Sequence, residues 1–121
     1  MNDKYERQMK KGVLDMLVLK LLRKEPKYGY QLILEMKEKS SGTFVLKEGT
    51  LYPILYRLED EGFVESKWSE PEGKQVARKY YVITEQGKTA LEKIKTIWEQ
   101  ICGGVLQIMN DVNNKICWEC R

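Results

Sequence analysis

Histidine is absent from the 121 residues of this chain. That removes the commonest general base and the commonest metal ligand, so most hydrolase and transferase mechanisms would need an unusual set of groups. Long apolar runs are missing as well. No stretch approaches the ~18 uninterrupted apolar residues of a membrane span, and the opening MNDKYERQMKKG lacks the apolar centre of a secretory signal. No membrane partner is therefore expected, and a cytoplasmic location is. Cysteine is scarce. Cys102, Cys117 and Cys120 cannot all pair within one chain, which agrees with a reducing compartment. There is no internal repeat and no low-complexity linker.

What is present is 42% hydrophobic and 32% charged residues, which suits one compact domain and excludes two full ones at this length. The net charge of +3 is unevenly spread. Residues 1 to 47 carry eleven Lys/Arg against six Asp/Glu, residues 48 to 81 five against seven, and the remainder five of each. The basic excess lies in the N-terminal part, so any argument for phosphate binding rests on where individual cations fall.

Apolar periodicity predicts a helix from Met9 to Arg23, stopped before Pro26, with an apolar surface wide enough to be covered on more than one side. A second helix is expected from about Tyr28 to Lys39, ended by Ser40, Ser41 and Gly42. Thr43 to Leu46 favours a short strand that would pair with something later. A third helix starts near Glu48 to Thr50, which places Pro53 in its tolerant first turn, and Gly62 closes it. Leu51, Leu55 and Leu58 share one face and turn Gly49, Pro53, Tyr56 and Arg57 to the other. Phe63 to Ser69 and Arg78 to Ile83 are strand-like, and the turn formers between them predict a hairpin. Thr84 is placed to cap a long last helix. Along that helix Leu91, Ile94, Trp98, Ile101, Val105, Ile108 and Val112 step by three or four, with Ile97, Leu106 and Met109 widening the stripe. A chain this short has little left to cover such a seam, so a second copy is the expected partner.

The fold class is therefore mainly α with a small β-hairpin wing, a winged helix-turn-helix. Residues 1–83 would form the DNA-binding domain, 84–112 the dimerisation helix, and 113–121 a tail. The third helix would enter the major groove of double-stranded DNA while the hairpin holds phosphates beside it. Base readout falls to Thr50, Tyr52, Pro53, Tyr56 and Arg57, and phosphate holding to Lys67, Lys74, Arg78 and Lys79. Lys10, Lys11, Lys24 and Lys27 could add backbone contacts. Glu59, Asp60 and Glu61 at the far end of the helix repel phosphate, which limits contact to its N-terminal half. Tyr28, Tyr30, Tyr52 and Tyr81 can each be read as a DNA contact or as half-buried packing with a wet hydroxyl.

Three blocks carry a resemblance to a known family. TyrGlyTyrGlnLeu at 28 to 32, GluGlyThrLeuTyrProIleLeuTyrArgLeuGluAspGluGlyPheVal at 48 to 64, and ArgLysTyrTyrValIleThrGluGlnGly at 78 to 87 are similar to PadR-type bacterial transcriptional regulators. The similarity is to the short subfamily with a single C-terminal dimerisation helix. It implies a homodimer that represses transcription by covering an inverted-repeat operator. Glu48 stands where many members have proline, and the wing turn carries two acids where others are more basic. The resemblance also implies a ligand site. In multidrug-responsive members a tryptophan eleven residues past the helix-opening glycine lines an apolar pore at the dimer centre, and Trp98 lies eleven past Gly87. Val13, Leu14, Leu17, Ile101 and Cys102 would be its walls, Asp15 an attraction for cations, and a small planar aromatic effector its occupant.

Two other readings stay open. A winged helix can pack against a protein through its third helix, which the acidic GluAspGlu end favours. Cys117 and Cys120 have a CxxC spacing that serves thiol or metal sensing, although one pair without histidine does not complete a zinc site. No cofactor, metal or catalytic residue is assigned, because no nucleophile and base can be paired.

Overall fold

The computed structural model describes residues 4–71, 73–74 and 76–111. Eight elements follow one another along the described residues: α1 (Lys4–Lys11), α2 (Leu14–Lys24), β1 (Lys27–Tyr28), α3 (Gly29–Lys39), α4 (Glu48–Asp60), β2 (Val64–Trp68), β3 (Lys79–Ile83) and α5 (Glu85–Met109). The three strands form one antiparallel sheet in the order β1-β3-β2. Leu14, Val18, Leu19 and Leu22 of α2, Leu32 and Met36 of α3, and Leu51, Ile54, Leu55 and Leu58 of α4 are buried. They meet Val64, Tyr81 and Ile83 of the sheet and Leu91 of α5 in one core. These are the faces that 3.6-residue and two-residue periodicity bring together.

The mainly helical winged architecture is the expected one, and four local expectations change. The helix predicted from Met9 to Arg23 is two helices. Gly12 and Val13 form a turn between them, closed by the Val13 N–H donating to the Lys10 carbonyl at 3.1 Å. Thr43 to Leu46 joins no strand; the edge of the sheet is taken by Lys27–Tyr28, which pairs with Tyr81 and Tyr80. Phe44 and Leu46 instead lay their side chains against the core as irregular chain, anchored by the Phe44 N–H donating to Ser40 Oγ at 2.9 Å. Pro53 is the sixth residue of α4, in the second turn, so the Gly49 carbonyl has no N–H from position 53 to accept. The last helix ends at Met109, and Val112 with the expected 113–121 tail lies outside the described residues.

Two joints fix α4 and α5. At the end of α4 the Phe63 N–H donates to the Leu58 carbonyl at 2.9 Å and the Gly62 N–H to the Glu59 carbonyl at 3.0 Å. Gly62 adopts φ +82° there, the left-handed conformation this helix ending requires. At the start of α5, Thr84 Oγ1 accepts from the Gly87 N–H at 3.0 Å and donates to the Gly62 carbonyl at 2.6 Å, while the Thr84 N–H donates to the Phe63 carbonyl. A Cβ at Gly87 would collide with that same Phe63 carbonyl. The end of one helix and the start of another are thereby tied to a single turn.

Candidate nucleic-acid interface

The alternation of apolar positions that buries Leu51, Ile54, Leu55 and Leu58 leaves Gly49, Thr50, Pro53, Tyr56 and Arg57 on the exposed face of α4. Lys47, the residue before the helix, gives it no side-chain cap. The exposed face of α4 therefore presents an uncapped helix start, the Thr50 hydroxyl and, two turns on, the Tyr56 ring, a set that can bond to phosphates and base edges. The acidic end is partly structural. Glu59 is half-buried and accepts from Ser66 Oγ at 2.7 Å, which docks α4 onto β2.

The wing rises beside this face. Lys67, Lys74 and Arg78 are exposed, and Lys79 is half-buried with its ammonium 5.8 Å from the centre of the Tyr56 ring. Ser69 and Arg78 continue the β2–β3 ladder past the strand ends: the Ser69 N–H donates to the Arg78 carbonyl at 2.7 Å, and the Arg78 N–H to Ser69 Oγ at 2.9 Å. On the outer sheet face the rings of Tyr28 and Tyr30 stack at 6.0 Å, Tyr80 meets Tyr28 edge-on, and the Arg78 guanidinium lies 5.9 Å from the Tyr30 ring. Tyr28 is half-buried in this cluster while Tyr30 is exposed.

Several predicted site residues have other partners. The Tyr52 hydroxyl is lodged against Gly29, where any Cβ would strike it, and its ring packs on the core, so Tyr52 joins α4 to α3. Arg57 is held in a two-pronged ion pair with Asp15 of α2, at 2.5 and 3.0 Å. The hydrogen bonds that the guanidinium donates to Asp15 keep it more firmly protonated than usual, against the opposing effect of burial. Lys27 is only 2% exposed. Its ammonium donates to Glu35 at 3.0 Å and Glu25 at 3.2 Å, so it has no surface to offer DNA. Burial pulls its pKa down, but the two carboxylates more than compensate and leave it raised, while Lys27 in turn lowers that of Glu35. Nothing local in the sequence marks this pair, since its members are eight residues apart on different elements.

The expected ligand walls divide between two faces of α2. Val13, Met16, Leu17 and Lys20 fall at helical spacing on one side and, with Phe44, Leu91 and Trp98, line an apolar groove of about 420 Å³ under α5. Asp15 falls on the opposite side of that helix, and Leu14 belongs to the core, so neither lines the groove. Ile101 and Cys102 lie beyond it along α5, exposed and half-buried respectively. Leu91 is buried within its own chain, which leaves it no surface for a partner, and Ile94 packs partly on the same core. Trp98, Ile101, Val105 and Ile108 are exposed.

Two features of the surface were not read from the sequence. A second groove, about 610 Å³, runs between α1 and the N-terminal half of α4, with Lys10, Lys11, Lys47 and Arg57 on its rim. Recognising it would have required seeing that Gly12 folds α1 back beside α4. Trp68, at the end of β2, is exposed. Its place one residue after Lys67 in an alternating strand was the available signal. No group of three or more His, Cys, Asp or Glu side chains that could hold a metal occurs among the described residues, and Cys117 and Cys120 lie outside them.

A winged sheet packed on a helix-turn-helix is the fold of many regulators, and comparison with known proteins narrows it. Residues 18–93 match the model of the transcriptional regulator PadR-like family. This chain belongs to that family. The negative transcriptional regulator PadR of Bacillus subtilis (strain 168) is 34% identical over 79 residues, a match spanning 65% of this chain and 43% of that longer protein. A PadR family transcriptional regulator from Eggerthella lenta is 35% identical, superimposes with a TM-score of 0.75, and shares 84% of this chain and 86% of its own. A transcriptional regulator from Clostridium thermocellum gives 0.74 at 28% identity over 88% of this chain and 99% of that one. This PadR-like chain has a hairpin wing, β2 and β3, and a long closing helix, α5, and none of its described helices is long and apolar enough to cross a membrane.

Proposed function

We propose that the protein is a homodimeric DNA-binding repressor, acting in the cytoplasm without enzymatic activity, that reads an inverted-repeat operator with two copies of α4. The observation that carries this is the juxtaposition of an open helix face with a cationic wing. Thr50, Pro53 and Tyr56 stand exposed on α4, and Lys79 reaches the Tyr56 ring from β3, with Arg78 and Lys67 on the other face of the same hairpin. In this reading residues 1–83 are the DNA-binding domain and 84–112 the dimerisation helix. Trp98, Ile101, Val105 and Ile108 form the seam that a second copy covers, as their exposure in the single chain favours.

Positioning is divided from reading. Arg78, Lys67 and Lys74 hold phosphate, Thr50, Pro53 and Tyr56 touch base edges, and Arg57 braces α4 against α2 through Asp15. Duplexes selected by the protein from a random-sequence library test this division. Arg78→Ala should weaken binding to every duplex and flatten its salt dependence by about one counterion, whereas Tyr56→Ala should mainly reduce the preference for selected over random DNA. Equal loss on both duplexes from the two variants would refute the division, and failure to select any duplex would refute DNA binding.

A planar aromatic effector fits the groove between Val13, Leu17 and Trp98. Its entry would alter the angle between protomers so that the two reading helices no longer match the half-site spacing. Titration of planar dyes against tryptophan fluorescence tests the site: quenching that persists unchanged in Trp98→Ala would remove Trp98 from it.

A further inference from the structure

Trp68 closes β2 with 66% of its surface exposed, and the DNA reading above makes no use of it. Its direction follows from the register. Side chains alternate across a strand, so Val64, Ser66 and Trp68 share one face of β2, and their partners Ile83, Tyr81 and Lys79 share the same face of β3. The first two pairs are covered by the protein itself. Val64, Ile83 and Tyr81 are buried, and Ser66 is bonded to Glu59 of α4. The third pair, Trp68 opposite Lys79, continues the row past the end of the core and alongside the exposed half of α4, where the Lys79 ammonium stands near the rings of both Tyr56 and Tyr81.

The surroundings of this indole limit what can cover it. Lys67 precedes it on β2, Lys79 opposes it, and Arg78 continues the ladder through its paired hydrogen bonds with Ser69. An exposed indole opposite one cation, on a hairpin whose other face carries Lys67 and Arg78, suits a partner that offers closely spaced negative charge and flat or apolar faces together. Duplex DNA does so, with phosphates for the cations and sugar and base surfaces for the ring.

We propose that Trp68 is a DNA-contacting residue of the wing, packing its indole on the sugar and base edges of the minor groove that flanks the major groove entered by α4, with Lys79 on the adjoining phosphate. This rests on the DNA reading and adds a non-ionic contact to it. Such a contact releases no counterions, so its loss lowers affinity at every salt concentration equally.

The test uses the full chain and a duplex that it enriches from a random-sequence library. Trp68→Ala should weaken binding about tenfold with an unchanged salt slope, Trp68→Phe should recover most of the loss, and Lys79→Ala should reduce the slope by about one. Circular dichroism and sedimentation confirm that each variant keeps its fold and assembly. In a second measurement Trp98→Phe and Trp118→Phe leave Trp68 as the sole tryptophan, and its emission should shift or quench when the duplex is added. Wild-type affinity in Trp68→Ala overturns the proposal, as does an unmoved Trp68 emission or a salt slope that falls in Trp68→Ala. Emission that responds to poly-glutamate and not to the duplex assigns the surface to an acidic protein instead. If no duplex is enriched, DNA binding fails and this contact with it; if one is enriched and Trp68 is indifferent to it, this contact alone fails.

Discussion

The winged unit and the far half of α5 treat their apolar side chains in opposite ways. Leu19, Leu32, Leu55 and Val64 are fully enclosed by α2, α3, α4 and the sheet, whereas Ile101, Val105, Ile108 and Met109 on α5 stand in solvent. Both stretches have apolar residues at regular spacing. The difference is supply: the first 91 residues contain enough elements to close around one another, and beyond Leu91 the described residues add only the remainder of one helix. Periodicity therefore reports which face must be covered and not what covers it.

Breaking the enclosed side should cost the most. Lys27→Ala leaves Glu35 partly buried without its main counter-charge, and a loss of about 3 kcal/mol in unfolding free energy at neutral pH is expected, measured by urea titration. Lys27→Met, which also fills the space, should lose less. The pair also gives the enclosed unit a pH signature. Because the Glu35 pKa is lowered by folding, its contribution is present above the ordinary carboxyl range and disappears as pH falls through the depressed value. Because that of Lys27 is raised, its contribution is full below the ordinary lysine value and disappears as pH rises through the elevated one. Lys27→Ala should flatten both limbs of the stability profile.

On the uncovered side the effect should appear in assembly instead. Ile101→Asp should raise the dimer dissociation constant about a hundredfold, roughly 2.7 kcal/mol, in sedimentation measurements, with no loss of secondary structure at low concentration. A variant that unfolds without first dissociating would erase the distinction between the two halves.

The smallest effect sharpens the comparison within the core. The Tyr81 hydroxyl is buried with no hydrogen-bond partner among the described residues, and burial pushes its pKa up to about 12. Tyr81→Phe should raise unfolding free energy by up to about 1 kcal/mol. It should also remove one source of alkaline instability: a raised folded value contributes fully below the ordinary tyrosine range and is lost as pH climbs toward 12. A destabilised Phe variant would mean that the hydroxyl has a partner in solution.

Much of this architecture was legible because strong signals are local. Leu51, Leu55 and Leu58 gave the buried face of α4, Gly62 its end, and Thr84 the start of α5, each within one or two turns of chain. What escaped depends on distance. Lys27–Tyr28 is too short to show alternation, and β3 reaches it more than fifty residues later, so the third strand was assigned to the β-favouring Thr43–Leu46. The pairing of Asp15 with Arg57 spans α2 and α4, and two free-looking site residues turned out to be each other's partners. Tyr52 illustrates the same limit, since only the fold reveals that Gly29 vacates the space for its hydroxyl.

The joint at Thr84 has a mechanical corollary. With its hydroxyl wedged between Gly62 and Gly87, the long helix cannot swivel independently of the turn that ends α4. A rod of 25 residues is roughly 37 Å long, so a lean of about five degrees at the joint displaces its tip by ~3 Å. Leverage of that kind runs in either direction: a slight shift at the far end of α5 becomes a change of pitch at the turn that ends α4.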